Sequence, residues 1–418
     1  MMTFNVKKLA ILAMVGAATV GLTACGGGGG SGDGTPANLQ ASLTKINLST
    51  QALTLSNTGG SATGKLSISS PSSGTFLIYD GTSDQSWCTP TKCPSACQSM
   101  QTLGAGASCK IYVNAQNIID YNQDPVTVNN ALVVTDLADA KTYSYTLKNT
   151  GIIYAVTATN NVYHQAKTDA WWSVDFAKPT TESQIYGFAV DHNGIAYIGG
   201  TNKLYRINDV FHTNWEDLGT VSSSIAGVNA IAFDADNNIY SGGESSDKYY
   251  TFNNGAWSEH SITGMPLFSS ITDIGFSSTN TMIVATKDAT TPHIFMKPVA
   301  VNWLDVGLPS VAATAVHGFS VANDGTIYIT VDSTNKYYSN SGSSQASWVD
   351  NGNVQFGTKP VYSLSVDGTG IVYAGIGNNG EINKKVAGDP NWDTLVSPET
   401  GTRVEHLANG SLLTIIEE

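Results

Sequence analysis

From residue 41 onward apolar and polar positions alternate with a period of two in short runs, and no long window carries the 3.6-residue period of an amphipathic helix. Between 41 and 150 the runs are 52-ALTLSN-57, 64-GKLSISS-70, 109-CKIYVNA-115, 131-ALVVTD-136 and 142-TYSYTLKN-149. Gly, Ser and Pro clusters at 58–64, 71–74 and 103–108 punctuate them, which is the turn chemistry that antiparallel strands need. The pattern predicts a β-sandwich over residues 41–150.

Beyond 150 the alternation itself repeats. The stretch 195-IAYIGGTNKLYRINDVFHTNWEDLG-219 has the same skeleton as 238-NIYSGGESSDKYYTFNNGAWSEH-260, and the later units follow it. Tryptophans at 172, 215, 257, 303, 348 and 392 are spaced by 43, 42, 46, 45 and 44 residues. A second column, Tyr154, Tyr197, Tyr240, Ile283, Tyr328 and Tyr373, keeps the same period. Each unit divides into four strands, the first two joined by Asp-, Asn- and Gly-bearing turns such as 191-DHNG-194, 322-ANDG-325 and 367-DGTG-370. Four strands in roughly 40 to 45 residues is the mark of a β-propeller blade. The periodic Trp and Tyr read first as residues that pack adjacent blades together.

The first unit starts at 151-GIIYAVTATNNVYHQ-165, already in its second strand, while 403-RVEHLANGSLLTII-416 supplies a first strand followed by an Asn409-Gly410 turn. Joined, the two ends complete one blade and close the ring. Six blades follow; because 411–416 resembles another second strand, seven is the alternative. The whole is an all-β chain, a sandwich followed by a propeller over residues 151–418.

Composition narrows the partners. The 418 residues carry a formal net charge of −13 and two arginines, Arg206 and Arg403. A phosphate-tracking groove needs clustered cations, so nucleic acid is not an expected partner.

At the N-terminus Lys7 and Lys8 precede the apolar run 9–22 and then 22-LTAC-25. This resembles a bacterial lipoprotein signal, with 1–24 as the signal peptide. The resemblance implies that Cys25 is lipidated, that 25–40 with its Gly-rich run is a tether, and that Gly26 after the cysteine directs the protein to the outer membrane. In an exported chain Cys88, Cys93, Cys97 and Cys109 read as two disulfides with three connectivities open. A zinc site is the competing reading, against which stands the lack of paired C-x2-C knuckles.

The combination 53-LTLSNTGGSATGKLSISS-70, 75-TFLI-78, a Cys-bearing loop and 103-LGAGASCKIYV-113 resembles the Ig-like modules of the choice-of-anchor and ASPM/Hydin type. That resemblance implies a spacer or adhesion scaffold in which Cys109 is bridged to one of the three upstream cysteines; the extra Cys pair departs from the simplest form. The later repeats resemble the sialidase-type and two-component-regulator-like propellers. A sialidase needs an arginine cluster for its substrate carboxylate, and two arginines cannot build one. The Asp-box is also missing in intact form, with 339-SNSGSSQASW-348 only a degenerate relative.

Aligned inner strands give one column that differs in kind from unit to unit: Tyr186, Asn229, Thr272, His317, Tyr362 and, at the end of the chain, Val404. The first five are the candidate ligand-binding residues, placed at the channel mouth. The next column reads Gly187, Ala230, Asp273, Gly318, Ser363 and Glu405, and its two carboxylates are the candidate metal ligands. No histidine has metal-ligand spacing, and no nucleophile elbow or nucleotide-binding loop occurs in a supporting context. The expected function is that of a non-enzymatic, lipid-anchored envelope protein without a cofactor, binding a protein or glycan through its propeller. The alternatives are an exported cation-dependent hydrolase or lyase, with Ca2+ between Asp273 and Glu405, and a scaffold for envelope assembly.

Overall fold

The computed structural model describes residues 35–417 apart from 46–49, 70–75, 80–92, 116–122, 124, 167–172, 208–214, 264–269, 288–290, 333, 355–359, 378–379, 387–388, 390 and 396. The signal segment, Cys25, most of the tether, Cys88 and Trp172 lie outside the described residues. Among the described residues no helix is long and apolar enough to cross a membrane.

Five four-stranded antiparallel sheets follow one another along the chain, each in simple sequential order. Blade 2 runs from Gly187–Val190 to Trp215–Thr220, blade 3 from Gly227–Phe233 to Ala256–Ser261, and blade 4 from Ser270–Phe276 to Leu304–Asp305. Blade 5 runs from Val316–Val321 to Trp348–Asn353 and blade 6 from Val361–Val366 to Asp393–Leu395. Blade 1 is built from both ends of the repeat region. Residues 404–410 of the strand Val404–Glu417 form its inner strand, paired with the C-terminal half of Lys141–Thr157, and Asn161–Ala166 and Ser173–Ala177 complete it. Inner strands touch in the order 2, 3, 4, 5, 6, 1, and blade 1 touches blade 2, so the ring closes at six.

The expected turn at Asn409-Gly410 does not form. Both residues sit inside an unbroken ladder, Asn409 opposite Ile153 and Gly410 opposite Ile152, and residues 411–417 continue along 145–151. A two-residue hairpin needs positive φ at both central positions, and here the partner strand runs straight past them. The segment 411–416 therefore extends an inner strand instead of starting a seventh blade.

That extension enters the N-terminal module. One of its sheets has the order Leu39–Lys45, Thr50–Asn57, Ser108–Ala115, Phe76–Tyr79; the other joins Leu66–Ser69, Val126–Asp136, the first half of Lys141–Thr157 and the end of Val404–Glu417. Leu53, Leu55, Ile111 and Val113 from the first sheet pack with Leu66, Leu132, Val134, Leu147 and Ile415 from the second in one core. Cys97 is bonded to Cys109 within it. Cys93 is also in a disulfide, whose other cysteine lies outside the described residues. The boundary expected at 150 falls inside one continuous strand that serves both sheet systems.

Between blades lie separate apolar clusters, and the periodic aromatics occupy them. Tyr154 packs on Phe188, Tyr197 on Phe233 and Tyr240 on Phe276, with centroids 5.5, 4.9 and 4.6 Å apart, each pair bridging neighbouring blades. The Tyr197, Tyr240 and Tyr373 hydroxyls donate to Asp191, Asp234 and Asp367 at the head of the turn in their own blade. The other oxygen of each Asp accepts the two N–H groups that define the turn, for example Thr369 and Ile371 on Asp367. Trp257, Trp348 and Trp392 donate their indole N–H to carbonyls of Leu218, Gly307 and Asn353 in the preceding blade. These columns stitch the ring.

Candidate functional site

At or within two residues of the start of each inner strand stands a buried β-branched residue: Ile185, Val228, Ile271, Val316, Val361 and Val404. Immediately after it the pairing with the second strand breaks. Register shifts fall between Gly227 and Ala230, Ile271 and Asp273, Val316 and Gly318, Val361 and Ser363, and Val404 and His406. The residue skipped is Asn229 (with Val228), Thr272, His317, Tyr362 and Glu405; in blade 2 Tyr186 holds the same place just ahead of its strand. A bulge frees a residue from the ladder and re-aims its side chain, so in five blades this position is released from the sheet's packing rules, and in blade 2 it lies outside the strand.

This register corrects the column read from sequence. Glu405, not Val404, stands with Tyr362 at the first position, and His406, not Glu405, stands with Asp273 at the second. Val404 is fully buried between blades with Ile153 and Tyr373. The second position is small in four blades because it points at the neighbouring blade. A Cβ on Gly187 would come within 2.4 Å of the Asn229 carbonyl oxygen, and one on Gly318 within 2.8 Å of Leu364. Asp273 and His406 are the exceptions, three blades apart on opposite sides of the ring.

Two cavities occupy the axis. The larger, about 740 Å³, runs along the inner strands; the smaller, about 400 Å³, opens at the bulge end. Tyr186, Asn229, Thr272, His317, Tyr362 and Glu405 all line the smaller one, so the divergent column converges on one mouth. Asp273, His317, Tyr362, Glu405 and His406 line both cavities and mark where they meet. Arg403 and Glu244 join the rim, and sequence reasoning missed both; His406, read from sequence as able to face the channel but more often a surface or packing residue, lines it as well.

Charges in the mouth are largely cancelled. Arg403 is hydrogen-bonded to Glu405, and its guanidinium lies 5.1 Å from the Tyr362 ring centre. His317 meets the edge of Tyr362 at 5.4 Å. Burial holds the Asp273 carboxyl well above the usual carboxylate range, so it resists ionising. Burial lowers His317, and lowers His406 to about 4 against the opposing pull of Glu405 and a hydrogen bond to the Tyr186 backbone, so both rings are neutral at pH 7. Two oxygens, Asn229 Oδ1 and Thr272 Oγ1, are buried with no hydrogen-bond partner among the described residues. Asp273 and Glu405 belong to opposite blades, and no three His, Cys, Asp or Glu among the described residues come together as a metal-holding group.

The N-terminal module lies at the other end. Blade 1's inner strand passes from Glu405 at the mouth to Gly410 and on into that module, and Asn114 of the module donates to the Asn193 carbonyl in the blade 2 turn. The mouth therefore faces away from the module.

The fold and this ring of side chains define a six-bladed β-propeller protein with a two-sheet N-terminal module. No protein-family model matches the sequence, and a search of curated proteins finds no match. Among solved structures, a chain of a nidogen/laminin complex is similar at TM-score 0.51 and 12% identity, covering 62% of this chain and 98% of that one. Virginiamycin B lyase from Staphylococcus aureus matches at TM-score 0.46 and 12% identity, over 65% and 100% of the two chains. A gluconolactonase from Xanthomonas campestris matches at 0.40 and 10%, over 56% and 85%. At such identities the likeness is one of fold alone, and a fold does not fix a function.

Proposed function

We propose that this is a lipid-anchored cell-envelope protein, probing outward from the outer membrane on an Ig-like spacer and holding a protein or glycan partner in the mouth of its propeller. One observation carries the reading: the first column, whose residue type changes most from repeat to repeat, stands at a bulge in five blades and just ahead of the strand in the sixth, and its members gather in one cavity. Side chains that only filled a channel end would have no reason to combine two aromatic rings, an amide and an ion pair around orphaned oxygens. A mouth directed away from the module suits a protein tethered through its N-terminal side.

Two measurements test it. Cells fed labelled palmitate should label the wild-type chain and not Cys25→Ser; equal labelling would remove the anchor. The purified full chain, screened against envelope proteins and a glycan array, should lose its ligand when Tyr186 and Tyr362 are both replaced by Ala, and binding that ignores the double change would move the site elsewhere.

The reading as a hydrolase or lyase has one feature in its favour, the Asp273 carboxyl at the junction of the cavities, whose pKa burial raises in the direction a general acid needs. The cation-dependent form fares worse. Burial disfavours the charged form of Asp273 that would hold Ca2+, and Glu405 is paired with Arg403 on the opposite wall. Elemental analysis of the purified protein, with Asp273→Ala as control, decides it: a stoichiometric metal lost in the variant would favour the enzyme.

A further inference from the structure

The six mouth residues are not scattered around the ring by type. Blades 6, 1 and 2 contribute Tyr362, Glu405 and Tyr186 in succession, an arc with an aromatic ring at each end. Blades 3, 4 and 5 contribute Asn229, Thr272 and His317, an arc of neutral polar groups. One arc therefore presents two Tyr rings flanking the Arg403–Glu405 pair, and the other offers hydrogen-bonding groups.

Both oxygens left without a protein partner, Asn229 Oδ1 and Thr272 Oγ1, belong to the polar arc. An unpaired buried oxygen carries a cost, and a donor reaching either one from the cavity would relieve it. An anionic ligand finds no free cation among the residues lining the mouth: Arg403 is already paired with Glu405, Glu244 adds a further carboxylate at the rim, and burial lowers the pKa of both His317 and His406. Such a ligand would pay desolvation without a counter-ion.

We propose that the mouth binds a neutral, hydroxyl-rich ring, the terminal sugar of an uncharged glycan, with its C–H face on Tyr186 or Tyr362 and its hydroxyl edge toward Asn229 and Thr272. Aromatic side chains give such a face a rigid apolar platform at small entropic cost. The cavity, about 400 Å³, lies in the range of small-ligand sites. This inference rests on the recognition reading and adds to it the class of ligand.

The experiment is a binding screen of the full chain against neutral hexose and N-acetylhexosamine oligosaccharides, their sialylated and sulfated counterparts, and short peptides. Affinities are then measured by calorimetry for Tyr186→Ala, Tyr362→Ala and the near-isosteric Thr272→Val, with folding checked by circular dichroism. Neutral oligosaccharides should bind and their charged counterparts should not; each Tyr variant should weaken binding at least about tenfold and Thr272→Val about fivefold to tenfold. Binding of sialylated, sulfated or peptide ligands through these residues, with neutral sugars excluded, would overturn the sugar assignment and leave the recognition reading standing. No ligand of any class depending on the three residues would overturn both.

Discussion

At the scale of single residues, the small second column is broken only by Asp273 and His406, and in both burial shifts the pKa toward the neutral form. Asp273 has its native pKa raised above the unfolded value, so the native state gives up its proton less readily. The resulting penalty is full above the native pKa and disappears as pH falls below about 3.9. Asp273→Asn should therefore raise the thermal midpoint relative to wild type at pH 8, with the gap closing in acid. His406 behaves oppositely, its native pKa being lowered to about 4. Stability is lost as pH falls from the unfolded value near 6.5 toward 4, and His406→Gln should flatten that part of the midpoint profile. A profile unchanged by either substitution would mean that neither group is desolvated as described. The divergent column itself was legible from the repeats, but its register in blade 1 was not. Alternation predicts ladders without bulges, and one skipped residue moves every later position by one. A signal did exist in the sequence: the β-branched residue that precedes each mouth residue, Ile185 through Val404, would have placed Glu405 beside Tyr362.

At the scale of elements, turn and ring chemistry were the most legible features because they depend on short-range geometry. The Asp that opens a turn also anchors the Tyr of the following strand, which explains why Asp and Tyr recur six residues apart in blades 2, 3 and 6. Asp367 is 2% exposed and accepts from Thr369, Ile371 and Tyr373. Asp367→Ala strands all of these donors and should cost about 3 kcal/mol in denaturant unfolding, several times the roughly 1 kcal/mol expected for Trp257→Phe, which gives up one bond to Leu218. Equal losses would show that the turn is not held by its carboxylate. The Asn409-Gly410 pair shows the limit of such reasoning. The dipeptide favours a hairpin locally, yet a long neighbouring strand offers hydrogen bonds on both sides of it, and tertiary pairing wins.

At the scale of the whole molecule, two modules were predicted from two kinds of pattern, and what could not be read was how they are joined. Contacts more than two hundred residues apart leave no periodic trace. Lys141–Thr157 and Val404–Glu417 form one ladder from the mouth of blade 1 to the core of the N-terminal module. Ending the chain after residue 410 should keep blade 1's inner strand while stripping Ile415 and its neighbours from the module. Calorimetry is expected to show the module melting first in a separate transition, where the intact chain melts as one; a single unshifted transition would show that the shared ladder couples nothing.

That ladder also sets how the molecule bears load. For a pull applied between the N-terminal side and the mouth, as the proposed anchoring and binding would apply it, tension runs lengthwise along the two paired strands. Their hydrogen bonds lie across the pull and resist together in shear, whereas a hinge of loose chain would let the modules peel apart one bond at a time.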